Sequence, residues 1–220
     1  MTEETLADWL PKLMSIPSSA VNDPLYEWIV PTNRPRLDCL YKRLEKVVDW
    51  KSTKTGAAGK KDQARRSLLI GRLYERLLRL LFNGGSVSVV ANVRSTSNEI
   101  DLLIKIEPAA YVIPFLRKAG THMIGEAKCH AKAPSSELVN ETAGFLPNHQ
   151  ATVGLLFVFC KSRTLKSDVR SAIAMHGARG ISVVPVGRKQ LQAIRDGAPV
   201  MRIITDQSIE AANHLSKLAI

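Results

Sequence analysis

The chain has 220 residues, 45% hydrophobic and 23% charged, which suits one globular domain with an extension and can bury a sizeable core. Its three cysteines (Cys39, Cys129, Cys160) are far apart and form no C-x-x-C pair, which argues against a zinc site or a disulfide framework and fits a reducing cytosol. The net charge of +11 is clustered: residues 1–30 carry one basic and five acidic side chains, residues 31–80 fourteen and five, and residues 81–220 sixteen and ten. Such a cluster favours a polyanionic partner, nucleic acid ahead of an anionic membrane surface.

The acidic start, Met1-Thr2-Glu3-Glu4, lacks the basic region of a secretory signal. The longest apolar run, 153–160, is too short to span a bilayer, so a cytoplasmic protein with no membrane partner is expected. Residues 2–14 read as a short amphipathic helix with Leu6, Trp9, Leu10 and Leu13 at helical spacing. Pro17, Pro24, Pro31 and Pro35 then break the chain into turns. A second helix is predicted over 36–50, with Leu37, Leu40, Tyr41, Leu44, Val47 and Val48 on one face.

The polar tract 51–61 reads as a mobile loop. Its lysines Lys51, Lys54, Lys60 and Lys61 either touch a phosphate backbone or sit on a solvated linker. The next helix spans 62–82 and stops at Asn83-Gly84-Gly85, with Leu69, Leu73, Leu77 and Leu80 as its core stripe. Glu75 lies on another face, within a turn of Arg72 and Arg79. A surface Glu–Arg pair would account for it.

A three-strand meander follows, over 87–94, 100–106 and 121–128. Its first link is short enough for a hairpin. The second, 107–120, is a longer loop with Arg117 and Lys118, placed to meet a ligand of a neighbouring site. Pro134-Ser135-Ser136-Glu137 opens a helix that ends near Pro147-Asn148. Apolar strands at 153–160 and 181–186 alternate with helices at 165–176 and 188–195, which implies parallel pairing. The sum is an α/β fold: a mixed sheet of antiparallel meander plus parallel strands, with helices on both faces. We divide it into a helical extension and basic loop (1–60), a core (61–200) and a C-terminal strand or helix (201–220).

The residues that carry chemistry sit on the second and third strands. Strand side chains alternate, so Glu126 and Lys128 share a face, and Asp101 can join them if the strands pair. Two carboxylates beside one lysine suit a hard cation near a phosphate. An Asp on one strand and Glu-x-Lys on the next (Asp101, then Glu126-Ala127-Lys128) resembles the signature of the PD-(D/E)xK nucleases, the restriction-endonuclease-like fold. The family's usual Pro before the Asp is replaced by Glu99-Ile100. Residues 154–194 also resemble the C-terminal half of the Mrr-like members, and the likeness spans about 67–195.

This resemblance implies an endodeoxyribonuclease using Mg²⁺, or Mn²⁺ in its place. Asp101, Glu126 and the Ala127 backbone carbonyl would be metal ligands, Lys128 a catalytic cation, and Glu75 the helical acid holding a second ion or a water. His130 would meet substrate unless it is a plain surface histidine, and Gln150 would lie near the scissile phosphate. Arg72, Arg117, Lys118 and the loop lysines would bind DNA. Restriction or antiviral defence is the expected setting; junction resolution, repair, transposition, or binding without catalysis are the alternatives. A homodimer is compatible with the pattern. No G-x-x-x-x-G-K-[ST] loop occurs, so an NTP-driven step would need an NTPase or sensor partner. No H-x-x-H or G-x-S-x-G pattern offers a rival chemistry.

Overall fold

The computed structural model describes residues 22–50, 53, 55–94, 99–128, 134–159 and 165–218. The helix expected at 2–14, and Lys51, Lys54, Cys129, His130 and Cys160, lie outside the described residues. The proline-rich stretch does not consist of turns alone, as its prolines suggest. Asn22–Ile29 is a helix (α1) with Pro24 in its first turn, where a missing N–H costs nothing because that N–H has no helical partner. Arg34–Asp49 forms α2, capped by the Asn33 side chain accepting from the Arg36 N–H at 3.2 Å, and it buries Leu37, Tyr41 and Leu44.

The third helix, α3, runs Gly56–Leu81 and corrects residues 56–61 of the loop expected at 51–61. Lys60 and Lys61 are therefore helical. The polar tract contains alanines and lysines, both good helix formers, and extending an existing helix costs far less than nucleating one. The buried stripe is also shifted, to Ile70, Leu73, Tyr74, Leu77, Leu78 and Leu81; Leu69 is exposed and Leu80 only half-buried. In a leucine-rich helix more than one stripe of 3–4 spacing can be drawn, and Ile70 and Tyr74 select this one. Gly85, at φ +63°, closes the turn after α3, where a Cβ would lie 2.3 Å from the Ile29 carbonyl oxygen. The same oxygen accepts the Ser86 N–H at 2.8 Å and ties α1 to the entry of the sheet.

Five strands follow in the spatial order β1-β2-β3-β4-β5: Val87–Arg94, Glu99–Ile106, His122–Lys128, Val153–Val158 and Ser182–Gly187. β1, β2 and β3 are antiparallel and β3, β4 and β5 parallel, as the pattern of strands and helices implied. The β2–β3 connection is folded, not an open loop: a 3-10 turn at Pro108–Val112 and a helix α4 at Pro114–Ala119 bury Ala110, Ile113 and Leu116. Helices α5 (Ser136–Asn148) and α6 (Ser167–Ala178) make the parallel crossovers. α7 (Arg188–Arg195) and α8 (Val200–Leu218) finish the chain.

The sheet has two covered faces. Leu102, Met123, Leu155, Phe157 and Val184 share a core with residues of α1, α2, α3, α7 and α8. Leu156, Val158 and Val183 pack beneath α5 and α6. Tyr26, Leu37, Tyr41, Val200 and Ile204 belong to the first of these cores, so neither residue 60 nor residue 200 marks a break in packing. Pro185 sits in the edge strand β5, where an absent N–H leaves no ladder bond unmade and discourages further pairing.

Candidate active site

The β2–β3 ladder pairs Leu102 with Gly125, so the next position outward sets Asp101 opposite Glu126. The absence of a side chain at Gly125 makes this approach possible. A Cβ there would lie 3.0 Å from the Leu102 Cβ and 3.4 Å from the Phe157 ring. Instead of a further backbone bond, the Asp101 carboxylate accepts the Ala127 N–H at 2.8 Å. A strand residue directs its N–H and C=O to the same side, so the Ala127 carbonyl also faces the β2 edge. Its neighbour Lys128 faces the other way, its carbonyl accepting the Phe159 N–H at 3.0 Å.

Glu126 and Lys128 project from the face covered by α5 and α6, because Ala127 and Phe157 belong to the opposite core. Lys128 Nζ donates to Glu126 Oε1. Glu126 is 8% exposed, one of two buried polar residues among those described. Burial pushes its carboxyl above the ordinary value; the Lys128 hydrogen bond opposes this, and the negative charges of Asp101 and Glu141 add to it. Burial alone would lower the Lys128 ammonium. The hydrogen bond and charge of Glu126, with the charges of Asp101 and Glu141, outweigh it and raise its pKa.

Glu141 is the acid the sequence did not reveal. It stands on α5, one turn after Glu137, exposed but close enough to act on both Glu126 and Lys128. α5 returns over the face that carries Glu126, burying Val139, Thr142, Ala143 and Leu146 against the sheet. No sequence signal separates Glu141 from any other solvent-facing helical acid.

Several other expected site residues are not brought here. Glu75 is half-buried on α3, on the far side of the sheet, and it is not among the charges acting on Glu126 or Lys128. Arg72 is exposed on the same helix. Arg117 and Lys118 lie in the last turn of α4, at the end of β3 opposite the site. Gln150 is at that opposite end too, because α5 carries the chain back before β4 begins. Its φ of 55° gives it a structural role: it is the left-handed residue closing α5, with its own N–H on Pro147 O and the Ala151 N–H on Leu146 O. Among the described residues no three acidic, histidine or cysteine side chains are grouped to hold a metal ion. Asp101, Glu126 and the Ala127 carbonyl remain as oxygen donors that share one strand edge.

No family model, no curated protein and no solved structure matches the chain. No helix among the described residues is long and apolar enough to cross a membrane.

Proposed function

We propose that the chain is a Mg²⁺-dependent nuclease of PD-(D/E)xK type, with a restriction-endonuclease-like fold, that hydrolyses phosphodiester bonds in DNA. One observation carries the reading: Asp101 from β2 and Glu126 and Lys128 from β3 converge at the carboxyl end of β3, in the order that pattern requires. Open α/β sheets use the carboxyl ends of their parallel strands for ligands.

Two carboxylates and a backbone carbonyl are hard donors, and Mg²⁺ needs only one or two carboxylates alongside substrate phosphate and retained waters. The donor set fits. Bound there, the ion would supply Lewis acidity at the phosphoryl oxygens. Asp101 and Glu126 would hold it through their carboxylate oxygens. The Ala127 N–H fixes the Asp101 carboxylate so that little reorganisation is needed during reaction. With one N–H on Glu126, Lys128 offers two further donors and one positive charge to the phosphoryl oxygens. Its charge counts most as water forms the new P–O bond and the bond to the leaving sugar oxygen breaks. Glu126 aims that ammonium.

Restriction or antiviral defence is the setting we assign; junction resolution, repair or transposition would use the same residues. A second reading, nucleic-acid binding without cleavage, is favoured by the Glu126–Lys128 pair being already closed. Supercoiled plasmid decides between them. Wild type should cut it with Mg²⁺ or Mn²⁺ and fail to cut with Ca²⁺ or excess chelator, and Asp101→Asn should not cut. Full activity in chelator, or undiminished cutting by Asp101→Asn, removes this site; a wild type that binds plasmid and never cuts it supports the second reading.

A further inference from the structure

Helix α3 carries a second feature. Lys61, Arg65, Arg72, Arg76 and Arg79 follow one another at steps of 4, 7, 4 and 3 residues, which sets them within about 60° of each other around the axis. All five are exposed, on the side opposite the buried Ile70, Leu73, Leu77 and Leu81. Among the described residues none of the five makes an ion pair or a side-chain hydrogen bond. At 1.5 Å per residue the stripe is about 27 Å long. Glu75 and Leu68, the latter 57% exposed, lie at its margin.

Ring contacts orient the helix. Phe82 packs on Phe157 with centroids 6.0 Å apart, and Tyr74 on Phe159 at 5.7 Å, so α3 runs antiparallel to β4. Its first half continues past the carboxyl end of the sheet. Arg66 clamps α2 to this overhang by donating to the carbonyls of Val47 and Val48.

We infer that the outer face of α3 is a docking surface for the phosphate backbone of a DNA duplex. Charge complementarity selects this occupant. Five exposed cations in one row match a polyanion with a charge every ~1.7 Å of axis, and each phosphate neutralised releases a counterion. Arg76 and Arg79, the part of the stripe that lies over the sheet, are on the face opposite the Asp101–Glu126–Lys128 group, so the phosphates they hold are not the one cut. They belong to flanking duplex. The choice of DNA over another polyanion rests on the nuclease reading; the surface itself does not.

The test is the salt dependence of binding to a duplex of about 30 base pairs, measured by fluorescence anisotropy with the full chain in chelator, where cleavage cannot intervene. Changing the five residues to Gln should flatten the slope of log K against log salt by about 0.9 for each phosphate no longer neutralised, up to about 4.5. An Arg→Lys version of the four arginines should keep the slope. Neutralising Lys105, exposed at the far end of the sheet, should leave it unchanged. Loss of the nuclease reading alone would appear as normal binding without cleavage in Mg²⁺. An unchanged slope in the five-residue variant overturns the docking surface. So does an equal loss in the far-end control, or a stripe that binds phosphatidylserine vesicles or a second copy of the chain in place of duplex.

Discussion

The two ends of the β3–β4 pair are built from similar polar residues put to different use. At the amino end the polar groups close the chain. His122 Nε2 meets the His149 carbonyl at 2.8 Å, the Thr152 hydroxyl donates to the Lys118 carbonyl at 3.3 Å, and Gln150 takes a left-handed conformation to end α5. At the carboxyl end the polar groups exceed what the fold requires. Glu126 is buried at a cost, its carboxyl held above the ordinary value, and Asp101 and Glu141 bring further negative charge towards it. On its own face its ladder partner Leu156 and the nearby Val158 continue the apolar packing under α5 and α6, which would have accepted an apolar residue at 126 more cheaply. A chain that buries charge where an apolar residue would be more stable points to function at that end.

The strongest way to break the contrast is to remove one carboxylate. Asp101→Asn retains an oxygen to accept the Ala127 N–H and should stay folded, yet DNA cleavage should disappear; Glu126→Gln should behave likewise. Unimpaired cutting by both would make the two ends equivalent. Gln150→Ala, at the other end, should cut like wild type.

Next in size is Lys128→Ala. Turnover should fall at least ~100-fold, the low end for a positioned proton-handling or charged group. Affinity for DNA should stay within a few-fold, because the charge acts on the transition state rather than on the ground state. The variant should also lose some thermal stability near neutral pH, where the buried Glu126 carboxyl would be left without its partner. Melting curves in acid should show that loss shrinking as the carboxyl takes up its proton.

Much of this site could be read from the chain order. The strands holding Asp101 and Glu126 are short and apolar, and a meander puts them side by side. The same topology also decides which residues stay away. An antiparallel β2–β3 link must lie at the end of the sheet away from Asp101, which excludes Arg117 and Lys118 from the site. A helix joining parallel strands must carry the chain back, which places Gln150 at the amino end. Glu75 could not be placed from sequence, because which face of the sheet α3 covers is a tertiary fact. Glu141 has no pattern to betray it, and α1 was hidden by prolines that a first helical turn tolerates.

A smaller effect concerns pH. The Glu126 carboxyl is raised above its ordinary 4.5, so the folded chain binds that proton more tightly than the unfolded one. Its contribution to stability is greatest below the unfolded value and falls as pH rises through the folded value. Relative to wild type, Glu126→Gln should therefore become more stable as pH goes from about 4 to about 7 in chelator. The opposite trend in urea unfolding would show that the Lys128 pairing outweighs burial.

The smallest expected change is Gln150→Gly. Glycine adopts the left-handed φ without a Cβ penalty, so the variant should gain a few tenths to about 1 kcal/mol and melt slightly higher with cleavage unchanged. A loss of cleavage there would return Gln150 to the site.

The central claim is that the carboxyl end of β3 performs phosphoryl transfer, and single-turnover cleavage by Lys128→Ala at saturating DNA tests it most directly. Wild type and variant, titrated with the same duplex and started by Mg²⁺, should bind within a few-fold of each other and differ at least ~100-fold in the rate of strand scission. Equal rates at saturation, with only the affinity changed, would contradict the account and leave Lys128 a phosphate-binding lysine.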